Sequence, residues 1–145
     1  MVGNNIKQPI CILFSTRDPG AAIHLLPLIT ACAQDTKFSV RVVASEPALS
    51  ILKLRNTTAI PFYINNQNHI NYTDDPELLL ASAKEIVDKI SPDIVLTSIS
   101  SLGIGIDEAL LAVSPVPTLA IQDFWGDVNL GLGIPADMYL SLIHI

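Results

Sequence analysis

The feature that most constrains the fold is a regular alternation of short apolar runs with helical segments along all 145 residues. The apolar runs end at clusters of Gly, Pro, Asp, Asn or Ser, which is typical of buried strands. Strands are predicted over Ile10–Phe14, Phe38–Ala44, Ile60–Ile64, Asp93–Thr97 and Thr118–Gln122, with a sixth over Met138–Leu140. Helices are predicted over Ala21–Gln34, Glu46–Leu54, Asp75–Ile90 and Asp107–Val113. This alternation calls for a mostly parallel sheet joined by right-handed crossovers.

The expected fold class is therefore α/β: a doubly wound, Rossmann-like sheet of about six strands. Half of the residues are apolar and only 15% are charged. A parallel sheet covered by helices on both faces has apolar strands throughout. A domain separated from a partner domain also keeps an apolar face. We expect both explanations to apply, with residues 1–139 forming one Rossmann-like domain of a larger protein.

The charge and the chain start exclude several classes of partner. The formal charge of −6 and the scattered basic residues argue against nucleic acid and anionic membranes. No stretch reaches the length of a transmembrane helix. Met1–Pro9 lacks the features of a signal peptide, so a cytoplasmic location is expected. Cys11 and Cys32 are then expected to be reduced residues of the core.

The last six residues, 140–145, stand apart from the rest of the sequence. Leu-Ser-Leu-Ile-His-Ile can be back-translated into DNA that resembles the transposon end of common sequencing adapters. Our hypothesis is that these residues are a non-native tail and that the gene continues past about Tyr139. The alternative is a natural strand over Tyr139–Ile143. We assign no role to His144.

Candidate site residues come from the loops that follow the parallel strands, because ligands of open α/β sheets bind there, near the topological switch point. The first such loop, Ser15–Gly20, offers Arg17, Asp18 and Gly20 as substrate-binding candidates. Asp18 also fits a simple helix cap, and Pro19 suits the first helical position. His24, in the helix that follows, is either a catalytic base or a packed side chain. Pro27 either kinks this helix or marks its first turn.

The loop after the fourth strand, Ser98–Gly105, adds Ser100, Ser101 and Gly103 as substrate-binding candidates, since small residues let a ligand approach the backbone. Gly103-x-Gly105 begins like a dinucleotide fingerprint, but Glu108 occupies the third glycine position. Two acids at this helix start, Asp107 and Glu108, would repel a pyrophosphate. The fingerprint is therefore rejected.

The loop after the fifth strand, Asp123–Asn129, is the most unusual segment and contains the only Trp. An aromatic ring stacks on the C–H face of a sugar while carboxylates bind its hydroxyls. Asp123 is accordingly a candidate catalytic residue, and Trp125 and Asp127 are candidate substrate contacts. The alternative is that Phe124 and Trp125 cover the end of the sheet and Asp123 caps a turn.

No motif predicts a cofactor or a metal. The sequence has no Cys/His cluster for zinc, no Walker lysine and no G-x-S-x-G elbow. We therefore assign neither.

Three segments carry a family resemblance. The run from Cys11 to Ile29, with its Ser-Thr-Arg-Asp-Pro-Gly loop, His24 and Pro27, resembles the opening of GT-B glycosyltransferases and the related sugar-nucleotide 2-epimerases. Ser-Pro-Asp-Ile-Val-Leu-Thr at 91–97 resembles the Pro-Asp-hydrophobic strand of that group. Pro-Thr-Leu-Ala-Ile-Gln-Asp-Phe-Trp at 117–125 resembles the next strand and its loop.

The resemblance implies a two-domain enzyme with its active site in the cleft between domains. It implies that this chain is the amino-terminal, acceptor-side half, that its partners are a sugar-containing acceptor and a carboxyl-terminal domain that binds a nucleotide sugar, and that it is inactive alone. Arg-Asp-Pro-Gly replaces the more glycine-rich first loop of many members, which argues against contact with donor phosphate. The rival hypothesis is a non-catalytic small-molecule-binding or interaction module. A small nucleotide-dependent enzyme ranks last because no phosphate loop is present.

Overall fold

The computed structural model describes residues 7–67, 70–99, 103–122, 131–133 and 135–141. The strands are β1 (Ile10–Thr16), β2 (Phe38–Ala44), β3 (Ile60–Pro61), β4 (Ile94–Ser98), β5 (Thr118–Gln122) and β6 (Met138–Ser141). The helices are α1 (Pro19–Gln34), α2 (Ala48–Leu54), α3 (Pro76–Ile90) and α4 (Ile106–Val113).

The six strands form one sheet in the order β3-β2-β1-β4-β5-β6, and every pairing is parallel. The chain winds outward from β1 through β2 to β3, and then crosses to β4 and winds outward in the other direction. The topological switch point therefore lies between β1 and β4, where Ser15 is in register with Thr97. The predicted doubly wound, Rossmann-like sheet is confirmed.

Two hydrophobic layers cover the two faces of the sheet. Even-numbered residues of β1, such as Ile12 and Phe14, pack with α1 and α2. Leu13 and the neighbouring Val43 and Val95 pack with α3 and α4 on the other face. Because side chains alternate along a strand, β1 is buried on both sides, which explains its continuous apolar sequence.

Helix α1 begins two residues earlier than predicted. Pro19 takes a first-turn position, and Asp18 takes the N-cap position with extended backbone, as the sequence predicts. The Asp18 side chain makes no capping hydrogen bond, however. Pro27 lies inside the helix, so the interpretation that it marks the first turn is wrong.

Helix α3 shows the most complete capping. The Asp75 carboxylate accepts a hydrogen bond of 3.2 Å from the Glu77 amide at the N-terminus. Ser91 ends the helix in the left-handed conformation, with φ of 51°, and Pro92 follows. Asp75 is therefore the N-cap of α3.

Two reciprocal contacts fix the starts of strands. The Asp93 carboxylate accepts from the Cys11 amide at 2.7 Å, and the Asp93 amide donates to the Cys11 carbonyl at 2.8 Å. The Asp137 carboxylate likewise accepts from the Thr118 amide, at 2.8 Å, while its own amide donates to the Thr118 hydroxyl. The aspartate of the Pro-Asp segment therefore aligns β1 with β4.

Some predictions differ from the structure. β3 ends at Pro61 rather than at residue 64, and Ile64 instead bridges Gln67 across a turn in which Asn65 and Asn66 adopt positive φ. The predicted strand over Tyr139–Ile143 can be compared only as far as Ser141, where β6 ends. Cys11 and Cys32 are free, but they are half-buried rather than core residues. Within the described ranges, no helix combines the length and apolarity that a bilayer crossing requires.

Candidate functional site

Polar side chains meet at the switch point, where the carboxyl ends of β1 and β4 face the N-terminus of α4. We call Ser15, Arg17, Ser98, Asp107 and Glu108 the switch-point cluster. All five side chains are buried, each at most 5% exposed. Burying several polar side chains together costs free energy unless they form hydrogen bonds. Here these side chains bond to one another.

Asp107 forms the centre of the switch-point cluster. One carboxylate oxygen accepts a hydrogen bond from the Ser15 hydroxyl at 2.5 Å, and the other accepts from the Ser98 hydroxyl at 2.8 Å. The Ser98 hydroxyl also lies 3.3 Å from that of Thr16. Asp107 therefore ties the start of α4 to the ends of both central strands.

The environment of Asp107 favours its neutral form. Burial, followed by the adjacent Glu108 carboxylate, raises the pKa of Asp107 from 3.8 to about 7. Hydrogen bonds from Ser15 and Ser98 and the charge of Arg17 oppose this shift without cancelling it. This carboxyl group therefore exchanges its proton near neutral pH.

Arg17 and Glu108 form a buried ion pair beside Asp107. The Arg17 Nη2 lies 3.4 Å from the Glu108 Oε1, and the two side chains are 1% and 5% exposed. The second Glu108 oxygen accepts a hydrogen bond of 2.8 Å from the Gly105 amide, at the N-cap of α4. The chain's own carboxylate thus occupies the helix terminus at which a phosphate would otherwise bind.

Arg17 also contacts two loops. Its Nη2 donates to the Gly103 carbonyl at 3.1 Å, and its Nη1 lies 3.5 Å from the Asn71 carbonyl. The Asn71 side-chain amide donates back to the Arg17 carbonyl at 3.3 Å. Beside these contacts, the Thr73 amide donates to the Ile104 carbonyl at 2.9 Å. The segment around residue 71 is thereby joined to the loop that precedes α4.

The other described candidate residues are not members of the switch-point cluster. Asp18 is half-buried at the N-cap of α1, and Gly20 is exposed in its first turn. His24 is exposed on α1 rather than packed in the core. Gly103 lies beside the cluster in the left-handed conformation, with φ of 64°. Contact of these residues with substrate, and a catalytic role of His24, stay predictions.

The other predicted site residues lie outside the described residues. They are Ser100 and Ser101 after β4, and Asp123, Trp125 and Asp127 after β5. The strands that precede them, β4 and β5, are adjacent and parallel, so the carboxyl ends of both strands lie at the same end of the sheet as the switch-point cluster.

Sequence reasoning missed the central role of Asp107. The sequence indicates only that the acidic pair at the start of α4 repels pyrophosphate. In the structure, the Asp107 carboxylate accepts hydrogen bonds from the hydroxyls of Ser15 and Ser98. The available signal was the coincidence of small hydroxyl residues at two strand ends with acids at a helix start. Among the described residues, no group of three or more His, Cys, Asp or Glu side chains is placed to hold a metal ion.

Comparison with solved structures identifies related folds. A protein of Listeria monocytogenes assigned as a UDP-N-acetylglucosamine 2-epimerase matches with a TM-score of 0.69 and 16% identity, over 92% of this chain and 39% of its own. The UDP-GlcNAc 2-epimerase of Neisseria meningitidis, bound to UDP-GlcNAc, matches with a TM-score of 0.65 and 16% identity, over 88% and 36%. Acinetobacter baumannii MurG matches with a TM-score of 0.65 and 14% identity, over 92% and 41%.

The chain has the fold of one GT-B domain. It spans only 36 to 41% of the length of these three structures. No protein-family model and no curated protein matches the sequence. At such low identity the likeness establishes the fold, and the residues of the site must supply any argument about chemistry.

Proposed function

We propose that the chain is the amino-terminal, acceptor-side domain of a GT-B-like glycosyltransferase or sugar-nucleotide 2-epimerase that acts on a nucleotide sugar. The fold supports this proposal, and so does the span of about two-fifths of each matched enzyme. One matched epimerase is bound to UDP-GlcNAc, which makes a UDP-sugar the first substrate to test.

The observation that carries the assignment to the acceptor side is the occupied N-terminus of α4. Glu108 bonds the Gly105 amide, and Asp107 lies beside it at the switch point. The Glu108 carboxylate disfavours a diphosphate there, because it takes up a helix N-terminal amide that a phosphate would use and adds negative charge. The nucleotide diphosphate is therefore assigned to a second domain, and this chain alone is expected to be inactive.

Within this function, the loops after β4 and β5 would bind the sugar. Ser100 and Ser101 supply hydroxyls, Trp125 a stacking surface and Asp127 a carboxylate. Asp123 is the preferred catalytic base, with His24 the second candidate.

The first experiment is to sequence the native DNA downstream of the codon for Tyr139. An open reading frame that encodes a second α/β domain would support the proposal and would define the protein to express. A stop codon directly after the codon for Ile145 would overturn it in favour of a small-molecule-binding or interaction module.

The second experiment measures turnover of UDP-GlcNAc by the full-length protein and by its Asp123→Ala and Trp125→Ala variants. Loss of a general base is expected to lower kcat roughly 10²- to 10⁴-fold. Loss of a stacking ring is expected mainly to raise KM. Asp88→Ala is the matched control, because Asp88 is exposed on α3 and its carboxylate forms a surface ion pair with Lys84. Unchanged rates in both test variants would contradict the site assignment.

A further inference from the structure

We propose that Arg17 is a positioning residue, which holds residues 103–105, directly before α4, and the segment around Asn71 in one fixed arrangement at the edge of the cleft. The proposal rests on the proposed function only in calling that edge a substrate cleft. The contacts of Arg17 with the two segments can be tested without a substrate.

The burial of Arg17 supports an internal role. The residue is 1% exposed although it follows β1 directly, where a ligand-binding cation would face the cleft. A buried guanidinium is stabilised by a charge partner and by acceptors for its N–H groups. Glu108 provides the charge, and backbone carbonyls provide further acceptors.

The geometry of the guanidinium explains why one residue can hold two loops. Its planar group presents several N–H donors in a rigid fork. One nitrogen reaches both Glu108 and the Gly103 carbonyl, and the other points to the Asn71 carbonyl. These acceptors are 91, 86 and 54 residues away in sequence. Arg17 therefore connects the end of β1 to two segments that are distant in sequence.

The two glycines of the loop before α4 show that the arrangement is tightly packed. A Cβ atom on Gly105 would lie 2.5 Å from the Arg17 Cδ and 2.5 Å from the Asn71 carbonyl oxygen. A Cβ atom on Gly103 would lie equally close to the Tyr72 ring. Glycine is required at both positions because the backbone itself packs against Arg17 and its neighbours.

The first test compares amide hydrogen exchange in the wild-type protein and in Arg17→Lys. Lysine keeps the charge beside Glu108 but loses the fork that reaches both loops. The Thr73 amide, which bonds the Ile104 carbonyl, reports on the joined loops, and the Val95 amide, which bonds the Pro117 carbonyl, reports on the sheet. We expect Thr73 to exchange roughly tenfold faster or more, with Val95 unchanged, since hydrogen bonds to charged groups are strong.

Two further variants keep the test decisive. Asn71→Ala removes the reciprocal bond to the Arg17 carbonyl without leaving a buried charge, and it should accelerate Thr73 in the same selective way. Arg17→Met combined with Glu108→Gln removes both charges of the pair. Arg41→Lys, on the exposed side of β2, is the control and should change neither amide. Equal acceleration of Thr73 and Val95, or no acceleration of either, would overturn the proposal.

The second test uses turnover by the full-length protein. A positioning residue that shapes a binding loop should, when changed to Lys, raise KM roughly tenfold while kcat stays within about twofold. Selective exchange at Thr73 with both constants unchanged would overturn the positioning role at the substrate cleft. If the full-length protein turns over no UDP-sugar, the proposed function fails, and the exchange experiment still decides whether Arg17 holds the two loops.

Discussion

At the scale of single residues, the buried carboxyl of Asp107 has the clearest measurable consequence. Its pKa is about 7 in the folded protein and 3.8 is its ordinary value, so between these pH values the folded state holds a proton that the unfolded state releases. The free energy of unfolding contributed by this group therefore falls as pH rises from 3.8 to about 7, and is level above.

Asp107→Asn should remove this dependence. The amide cannot ionise and can still bond the hydroxyls of Ser15 and Ser98. The difference in melting temperature, variant minus wild type, should therefore increase from pH 5 to pH 8. The reason is that the raised pKa of Asp107 makes the wild type lose stability as this carboxyl loses its proton. Asp88→Asn on the exposed face of α3 should show no such trend. A difference in melting temperature between variant and wild type that stays constant over this pH range would contradict the assignment.

A neighbouring hydroxyl offers a contrasting prediction. The Thr97 Oγ1 is buried without a hydrogen-bond partner in the part of the chain that the structure describes, whereas the Ser98 hydroxyl bonds Asp107. Thr97→Val should be neutral or stabilising by about 1 kcal/mol, while Ser98→Ala should cost about 1–3 kcal/mol. Urea denaturation of both variants measures the difference. A larger cost for Thr97→Val than for Ser98→Ala would show that the prediction is wrong.

At the scale of elements, Pro27 is an unfavourable residue for its position inside α1. It lies inside α1 on the exposed face, where proline removes a backbone hydrogen bond and clashes with the preceding turn. Proline costs about 3 kcal/mol relative to alanine in a helix interior. Pro27→Ala should therefore raise the free energy of unfolding by about 1–3 kcal/mol. The exposed Thr30→Ala in the same helix should gain less than about 0.7 kcal/mol. Equal gains would mean that the helix has already adapted to the proline.

Elements with strong local signals were predicted well. β2 and β5 have the predicted bounds because turn residues or changes of polarity flank them directly. β1 extends to Thr16, beyond the predicted end at Phe14, since Ser15 and Thr16 read as loop residues until their buried partners are known. The bond between Ser15 and Asp107 spans 92 residues, and no local pattern contains it. Topology therefore predicts the end of the sheet at which a site is expected, whereas the contacts of the Asp107 carboxyl could not be predicted from local sequence.

At the scale of the whole molecule, the fold class follows from the alternation of strands and helices, and the structure adds the strand order and the switch point. The faces were predictable because apolar runs without alternation require cover on both sides. The buried ion pair was not, since a charged pair reads as surface until the distance between Arg17 and Glu108 is known. Function is less determined than fold, because many chemistries share this architecture.

The two outer strands of the described sheet differ in a way that affects how the sheet can grow. On one side, β3 is two residues long and ends in Pro61, which has no amide hydrogen to offer a neighbour. On the other side, β6 is four residues long, has no proline, and exposes 64% of Met138 and 45% of Leu140. An additional strand would therefore meet a terminator at β3 but a template at β6, so β6 is the side of the described sheet on which lateral extension is expected.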